Sequence, residues 1–384
     1  MERLSAGTGT SASEDATTAG TEAARAAVAG LDGAAPGLVI VYASIRYDLS
    51  AVLAAVRAVT GDTPLVGASS SGQFANGEYL PPGATLSVLV LGAGVYRFGT
   101  AAVTGISADT AAAGTELARR AIAAAGPKSA HGTLFVLADG MAGDMQGLLN
   151  GIYRTTGARV PVVGGAAGDD GTLTGSYVMH DGAALRDGAV AVWIGSDRPL
   201  RVVAGHGWQP QSLPMLVTRV NGATVEEIDG RPALDVYRAS IHPDQASPGG
   251  GTEWYTAYSF GLIEPDGSQL VRAVFVEGEK VVTFTPLPEY CAVQIVSAAP
   301  DDLLDVSERV VEDALSGVPD PAVILGFSCV ARVDVLGDRA AEEAARMHKA
   351  AGTVATFGFY TYGEFARVTG VAGYHNATIT AVAL

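Results

Sequence analysis

Pro64-Leu-Val-Gly-Ala-Ser-Ser-Ser-Gly72 and Pro161-Val-Val-Gly-Gly-Ala-Ala-Gly-Asp169 are two versions of one pattern, a short apolar run entering a glycine-rich loop. What precedes them is also shared. Leu38–Ala43 and Leu134–Ala138 read as buried strands, each a short continuous apolar run bounded by polar residues. The spacing then predicts helices over Leu49–Val59 and Met145–Tyr153, the first ended by Thr60-Gly-Asp62. After each loop, paired apolar runs read as a hairpin: Thr85–Leu91 with Val95–Val103, and Ala189–Ile194 with Leu200–Val203.

A third, partial copy closes the chain. Ala322–Gly326 reads as a strand, Phe327–Asp338 as a loop and Arg339–Ala350 as a helix, before Gly358-Phe-Tyr-Thr-Tyr-Gly-Glu-Phe365. Both glycines and the final Phe align with Gly67, Gly72 and Phe74. A last strand is expected over Ala377–Leu384. Before the first copy, a helix is expected to open near Ser13 or Asp15 and run to Leu31, with the extreme terminus loose. Between copies two and three, residues 206–300 carry short alternating runs, with Val225–Tyr237 read as a turn flanked by short helices. His242–Glu253, rich in Gly and Pro, reads as a lid or insertion loop. The fold class is therefore mixed α/β (α+β), with repeated β-α-β-loop-hairpin units, largely antiparallel additions and two intimately associated domains, 1–205 and 206–384.

Composition narrows the function. A chain of 384 residues buries roughly three quarters of its surface, so it needs no disulfide or metal staple. Its net charge of −16, with lysine only at 128, 280 and 349, argues against nucleic acid and anionic membranes. Cys291 and Cys329 make neither a disulfide framework nor a CxxC pair, and no leader-like or membrane-spanning run is present; a soluble cytoplasmic protein is expected. Six scattered histidines show no metal spacing.

Two motif groups carry chemistry. Ser69, Ser70, Ser71 and Gly72 either form a nest of N–H and hydroxyl groups for an anion or simply a tight turn. Read as a nucleophile elbow, the run would make Ser70 a hydrolase nucleophile with His375 downstream. Against this, the following Gln73–Gly83 is no helix, and Ala167 and Thr361 stand at the matching positions. The third copy brings Cys329 and Arg332 near Tyr360, Tyr362, Gly363, Glu364, His375 and Asn376 if these loops leave neighbouring strand ends. There Arg332 would hold a carboxylate and Glu364 an ammonium, or the two would pair with each other. Cys329 reads as a thiol nucleophile or as a small core residue.

Several of these segments resemble the FIST family. Tyr42–Asp48 with PLVGASSSGQF resembles its N-terminal domain. Val217–Tyr237, Ser328-Cys-Val-Ala-Arg332, FGFYTYGEF and YHNAT resemble its C-terminal domain. The resemblance covers roughly residues 5–384 and implies a sensory module for a small ligand, with amino acids proposed. It further implies signalling to a histidine kinase, a cyclase or a chemotaxis output. No such module follows Leu384 here, so a stand-alone sensor acting on a separate output protein is expected. Some members resemble haem-based gas sensors, which leaves haem as the one cofactor to test.

Overall fold

The computed structural model describes residues 3–241, 258–367 and 373–384. His242–Glu253, read as a lid, lies outside the described residues. The mixed α+β expectation holds, and the repetition proves complete: the chain contains three copies of one unit and one inserted sheet.

Each unit runs edge strand, helix, strand, helix, parallel strand, short hairpin, final strand. In unit one these are Ala6–Ser11, Ala16–Ala29, Pro36–Ala43, Leu49–Thr60, Leu65–Ser69, Gln73–Ala75 with Glu78–Leu80, and Leu86–Gly92. Unit two repeats the order from Arg97–Thr104 through His131–Asp139, Val162–Ala167 and the hairpin Val178–His180 with Ala183–Leu185, to Gly188–Ser196. Unit three runs from Val202–Gly205 through Val323–Cys329, Ala355–Thr361 and the hairpin Glu364–Ala366 with Tyr374–His375, to Ile379–Ala383. Its helices are Pro300–Leu315, Val330–Leu336 and Ala340–Ala351. Asp15 and Asp109 start the first helices of units one and two, and Asp48 and Asp144 the second, each by accepting from N–H groups of the first turn.

The three hairpins are exchanged between units. Each unit forms a sheet whose parallel strand would be left as an edge, and a hairpin from another unit covers that edge. Val178–His180 of unit two pairs with Leu65–Ser69 of unit one. Glu364–Ala366 of unit three pairs with Val162–Ala167 of unit two. Gln73–Ala75 of unit one pairs with Ala355–Thr361 of unit three, closing the cycle. One face of all three sheets packs on a common core that includes Tyr42, Phe135, Phe327, Phe357 and Phe359. The Tyr42 and Phe359 rings lie 4.3 Å apart.

Four local expectations need correction. The strands expected as hairpins after each loop lie in different sheets: Leu86–Gly92 pairs with Ala6–Ser11 and Pro36–Ala43, while Arg97–Thr104 pairs with Gly188–Ser196. Leu86–Gly92 is buried throughout and needs a neighbour on each side, which a two-stranded hairpin cannot supply. Gly188–Ser196 likewise takes two neighbours, and Val202–Gly205 joins the sheet of unit three. The segment before the first helix, expected to end loosely, is tied down from Ala6 by the strand Ala6–Ser11, with Met1 and Glu2 outside the described residues. Phe327–Asp338 is no loop, because Val323–Cys329 passes straight into the helix Val330–Leu336. Finally, the segment before the Asp229-Gly230 turn is the strand Thr224–Ile228, not a helix.

The inserted sheet occupies Gln209–Ser297, between the first strand of unit three and its long helix. Its edge strands, Gln269–Arg272 and Val274–Glu277, are consecutive in the chain and separated only by Ala273, so the sheet curls back on itself. Among the described residues no helix is long and apolar enough to cross a membrane.

The three glycine-rich loops meet at the C-terminal ends of the parallel strands and are stitched into a ring. Ser71 N–H donates to Tyr360 O, Gly168 N–H to Ser69 O and Tyr362 N–H to Ala166 O, at 3.1, 3.0 and 3.0 Å. Returning bonds run from Tyr360 N–H to Gly72 O, Ala166 N–H to Gly363 O and Ser69 N–H to Tyr177 O, at 2.9, 2.8 and 2.8 Å. Gly67, Gly164 and Gly358 lie just before these crossings. A Cβ on them would fall 2.3 Å from Val41 O, 1.8 Å from Val136 O and 2.0 Å from Gly326 O. Gly164→Ala is therefore expected to cost about 1–3 kcal/mol or more in a urea unfolding measurement. A wild-type midpoint in that variant contradicts the close approach.

Candidate functional site

The serine-rich loop and Arg332, both singled out in the sequence, are sealed into the structure. Ser69 Oγ donates to Gly168 O at 2.6 Å and accepts from Tyr177 N–H at 2.8 Å. Ser70, wholly buried, has Gln73 and the Ala43 carbonyl as its hydroxyl's neighbours, so no base stands at this oxygen. Ser71 supplies its backbone N–H to the ring, and its buried hydroxyl faces the Tyr362 hydroxyl. Gly72, at φ +105°, lets the chain turn into the exchanged hairpin.

Arg332 and Glu343 form the second sealed group. Both side chains are fully buried, and Nη2 of Arg332 lies 2.6 Å from Glu343 Oε1. The guanidinium also donates to the Leu303 and His206 carbonyls and to the Ser307 and Ser328 hydroxyls. Both hydroxyls in turn donate to Glu343 at 2.9 Å. The partner of Arg332 is thus Glu343, from the helix Ala340–Ala351, and not Glu364. This network clasps three helices and a strand of unit three, and it occupies the fork expected to hold a ligand. The rings of Phe74 and Tyr79 meet Tyr360 edge-on, on the same side of the sheet.

The third group surrounds a cleft between the loop ring and the inserted sheet. Cys329, Val330, Ala331, Tyr362 and Asn376 form one wall; Ala273, Phe275 and Phe284 form the other. The walls nearly touch, leaving about 10 Å³, the space of a single water centre. Asn376 is held by Thr285 Oγ1, which donates to its Oδ1 at 2.9 Å, and its own amide donates to His375 O. The Tyr362 hydroxyl donates to Asp169, whose carboxylate also accepts the N–H groups of Leu173, Thr174 and Gly175. Gly363, at φ +153°, lies so close to the Tyr374 ring that a Cβ there would fall 2.4 Å from it.

Behind Cys329 lies Glu364, fully buried and without a cationic partner at salt-bridge distance among the described residues. Burial pushes its carboxyl up to about 8, against bonds from Thr361, the Thr378 N–H and Cys329 that favour the charged form. Glu364 is therefore neutral at pH 7. Unit one carries a neutral counterpart in the same place: Gln73 meets Ser70 there as Glu364 meets Thr361 in unit three. Burial and then the nearby Glu364 hold the Cys329 thiol well above its usual range, so it is not a thiolate at neutral pH. His375 and His206 are both driven down to about 4, chiefly by burial. His375 Nε2 bonds Ala366 O at 2.7 Å, and His206 Nδ1 accepts from Trp208 N–H at 2.9 Å.

In its closed form the cleft holds neither a macrocycle nor any ligand larger than water, and each of the two histidines of this region has one ring nitrogen engaged by backbone. Among the described residues no group of three His, Cys, Asp or Glu is placed to hold a metal ion. A larger cavity, about 280 Å³, lies at the opposite ends of the strands among the connections between units. It is lined by Arg3, Tyr96, Arg198, Val318 and Leu384, and it includes none of the residues singled out from the sequence.

Two predictions follow from the buried acids. Removing one partner of a buried ion pair strands the other charge, so Glu343→Gln is expected to cost about 3–5 kcal/mol. The double variant Arg332→Met with Glu343→Leu should cost much less. Chemical denaturation of the three proteins decides it; equal losses would mean the pair acts only through packing. For Glu364, only the folded state holds the proton between pH 4.5 and 8. Stability should fall by up to about 1.4 kcal/mol per pH unit as pH rises through that window. His206 and His375 act oppositely, since below pH 6.5 only the unfolded chain takes their protons. Urea melts from pH 5 to 9 should show an alkaline decline from about 6.5 that flattens in Glu364→Gln while the acid limb persists. An unchanged decline would place the proton elsewhere.

Comparison with known proteins identifies the chain at family level. The chain spans 15% of the curated relative it matches, the uncharacterized protein MJ1623 of Methanocaldococcus jannaschii, at 32% identity over 78 residues, or 20% of this chain. A cyanuric acid hydrolase from A. caulinodans aligns over 99% of both chains, at 10% identity and a TM-score of 0.38. The FIST N domain matches residues 37–231 and the FIST C domain residues 233–367. FIST domains are recognised as sensory and signalling modules. With nearly the whole chain matched by these two domains, the protein belongs to the FIST family.

Proposed function

We propose that this chain is a sensory module whose small ligand, an amino acid in the leading version, binds in the cleft between the loop ring and the inserted sheet. Cys329, Tyr362 and Asn376 would face it, with Glu364 and His375 behind them. Ser69, Ser71, Gly72, Tyr360 and Gly363 would keep the ring closed, and Arg332 would keep unit three rigid. The observation that carries this reading is the cleft itself. Polar groups of the ring face an aromatic wall from a separate sheet, at the C-terminal strand ends where open α/β sheets bind ligands.

The narrowness of the cleft supplies the signal. A ligand larger than water enters only by parting the walls, so it binds the opened arrangement better than the closed one and shifts their populations accordingly. A separate output protein, of the histidine kinase or cyclase class, would read the displacement of the inserted sheet. Thermal melting against an amino-acid panel tests this. At about a hundredfold excess over Kd, a ligand adds about 2.7 kcal/mol. At least one compound should shift the wild type, and Tyr362→Ala and Asn376→Ala should weaken it by about tenfold. No shift with any compound, or an undiminished shift in both variants, removes the cleft as the binding site.

A further inference from the structure

Arg272 ends one edge strand of the inserted sheet, immediately before Ala273 in the cleft wall, and it is only 4% exposed. Its Nη1 donates to the Val271 and Tyr374 carbonyls at 3.1 and 3.3 Å. Its Nε is buried and has no hydrogen-bond partner. Among the described residues no carboxylate lies within ion-pair distance. The Tyr374 phenol, Glu264 and the Cys291 thiol act on it only through space. Burial pulls the guanidinium down to about 10, so it stays cationic at neutral pH.

Burying an uncompensated cation is unfavourable, because desolvation is not repaid by a partner. The same chain shows a compensated case. Arg332, equally buried, has a carboxylate at 2.6 Å and both hydroxyls and carbonyls around it. Arg272 has two backbone carbonyls and an idle Nε. The guanidinium fork matches the paired oxygens of a carboxylate or phosphate, and such charge-assisted bonds are the strong ones. Tyr374, whose carbonyl receives Nη1, is two residues from Asn376 of the opposite wall, so an anion here would lie where the inserted sheet meets the ring.

We infer that Arg272 is an oxyanion anchor, taking a carboxylate-class group of the molecule that occupies the neighbouring cleft. This rests on the sensory reading of the cleft and deepens it. The role expected in sequence for Arg332 passes to an arginine of the inserted sheet. The side chain is retained despite its cost because the ligand supplies the missing partner.

The full chain is titrated with sodium acetate, sodium succinate and sodium phosphate at constant ionic strength. Ethylamine hydrochloride and glycerol serve as cationic and neutral comparators, with thermal melting and calorimetry as readouts. A saturable response to at least one oxyanion, and none to the comparators, is expected. In Arg272→Met the affinity should drop about tenfold or more while the unliganded Tm holds or rises, and Arg272→Lys should recover part of the affinity. Three results overturn the anchor: no saturable oxyanion response, undiminished affinity in Arg272→Met, or a lowered unliganded Tm in that variant, which would mark a structural side chain. Tyr362→Ala separates the two readings. Binding lost in Arg272→Met alone keeps the anchor and removes the cleft; binding lost in Tyr362→Ala alone does the reverse.

Discussion

Each unit of this protein, taken alone, ends its sheet on an apolar parallel strand with an open row of backbone groups. Leu65–Ser69, Val162–Ala167 and Ala355–Thr361 are buried along almost their whole length, and none could face water as an edge. The exchange of hairpins resolves this for all three at once, and only if the cycle closes. Unit two covers one, three covers two, and one covers three. Everything near the cleft depends on that closure, because the crossing points of the hairpins are the loops that carry Ser71, Gly168 and Tyr362.

Threefold repetition makes the departures from symmetry informative. Position for position, Ser70, Ala167 and Thr361 match, as do Ser71, Gly168 and Tyr362. Unit one carries small hydroxyls and a glutamine and is packed shut. Unit two carries small residues and extends its loop around Asp169, whose carboxylate gathers backbone N–H groups. Unit three places Tyr, Gly and Glu at the same positions, and only beside unit three does an extra sheet close over the ring. Chemistry has accumulated where the symmetry is broken, and a glutamate sits neutral where unit one has its amide.

The repeated strand–helix–strand–loop order was legible from apolar runs and glycines because both act locally. The helix start at Asp15 was likewise readable, since a cap is a short-range bond, and the helices after Asp48 and Asp144 were readable from apolar spacing. Strand partnership was not. Leu86–Gly92 and Arg97–Thr104 are adjacent in sequence and separated by a turn-like Gly-Ala-Gly, yet they belong to different sheets, and only burial on both faces decides it. Within the site, Cys329, Tyr362 and Asn376 were legible as one cluster. Glu343 was missed although its signal was present: it shares a helix face with Ala340, Ala344 and Met347, an acidic side chain amid an apolar stripe, and such a residue needs a buried cation. Arg272 gave a similar sign, a cation inside the apolar run Leu270–Val276, but an alternating strand turns successive residues to opposite faces, and only the docking of the inserted sheet on Tyr374 decides that its side chain is buried.

Tyr362 is the point at which these separate features become one device. Its ring lines the cleft, its N–H donates to Ala166 O in the ring, and its hydroxyl donates to Asp169 in the long loop of unit two. A side chain held at both ends cannot yield to a ligand without moving what holds it. Displacing it loosens either a ring bond or the wrapped Asp169 carboxylate, and both losses fall on unit two, away from the cleft. The inserted sheet, by contrast, meets this wall through few bonds, among them Thr285 to Asn376 and Arg272 to the Tyr374 carbonyl. The cost of opening is therefore unequal on the two sides. The ring resists through a closed cycle of backbone bonds, while the inserted sheet gives up side-chain bonds and the packing of Val271 and Val296 in one cluster with Leu303, Leu304, Cys329 and Ala331. On the proposed function, motion on ligand entry would fall to the inserted sheet, which would make that sheet the surface a partner reads.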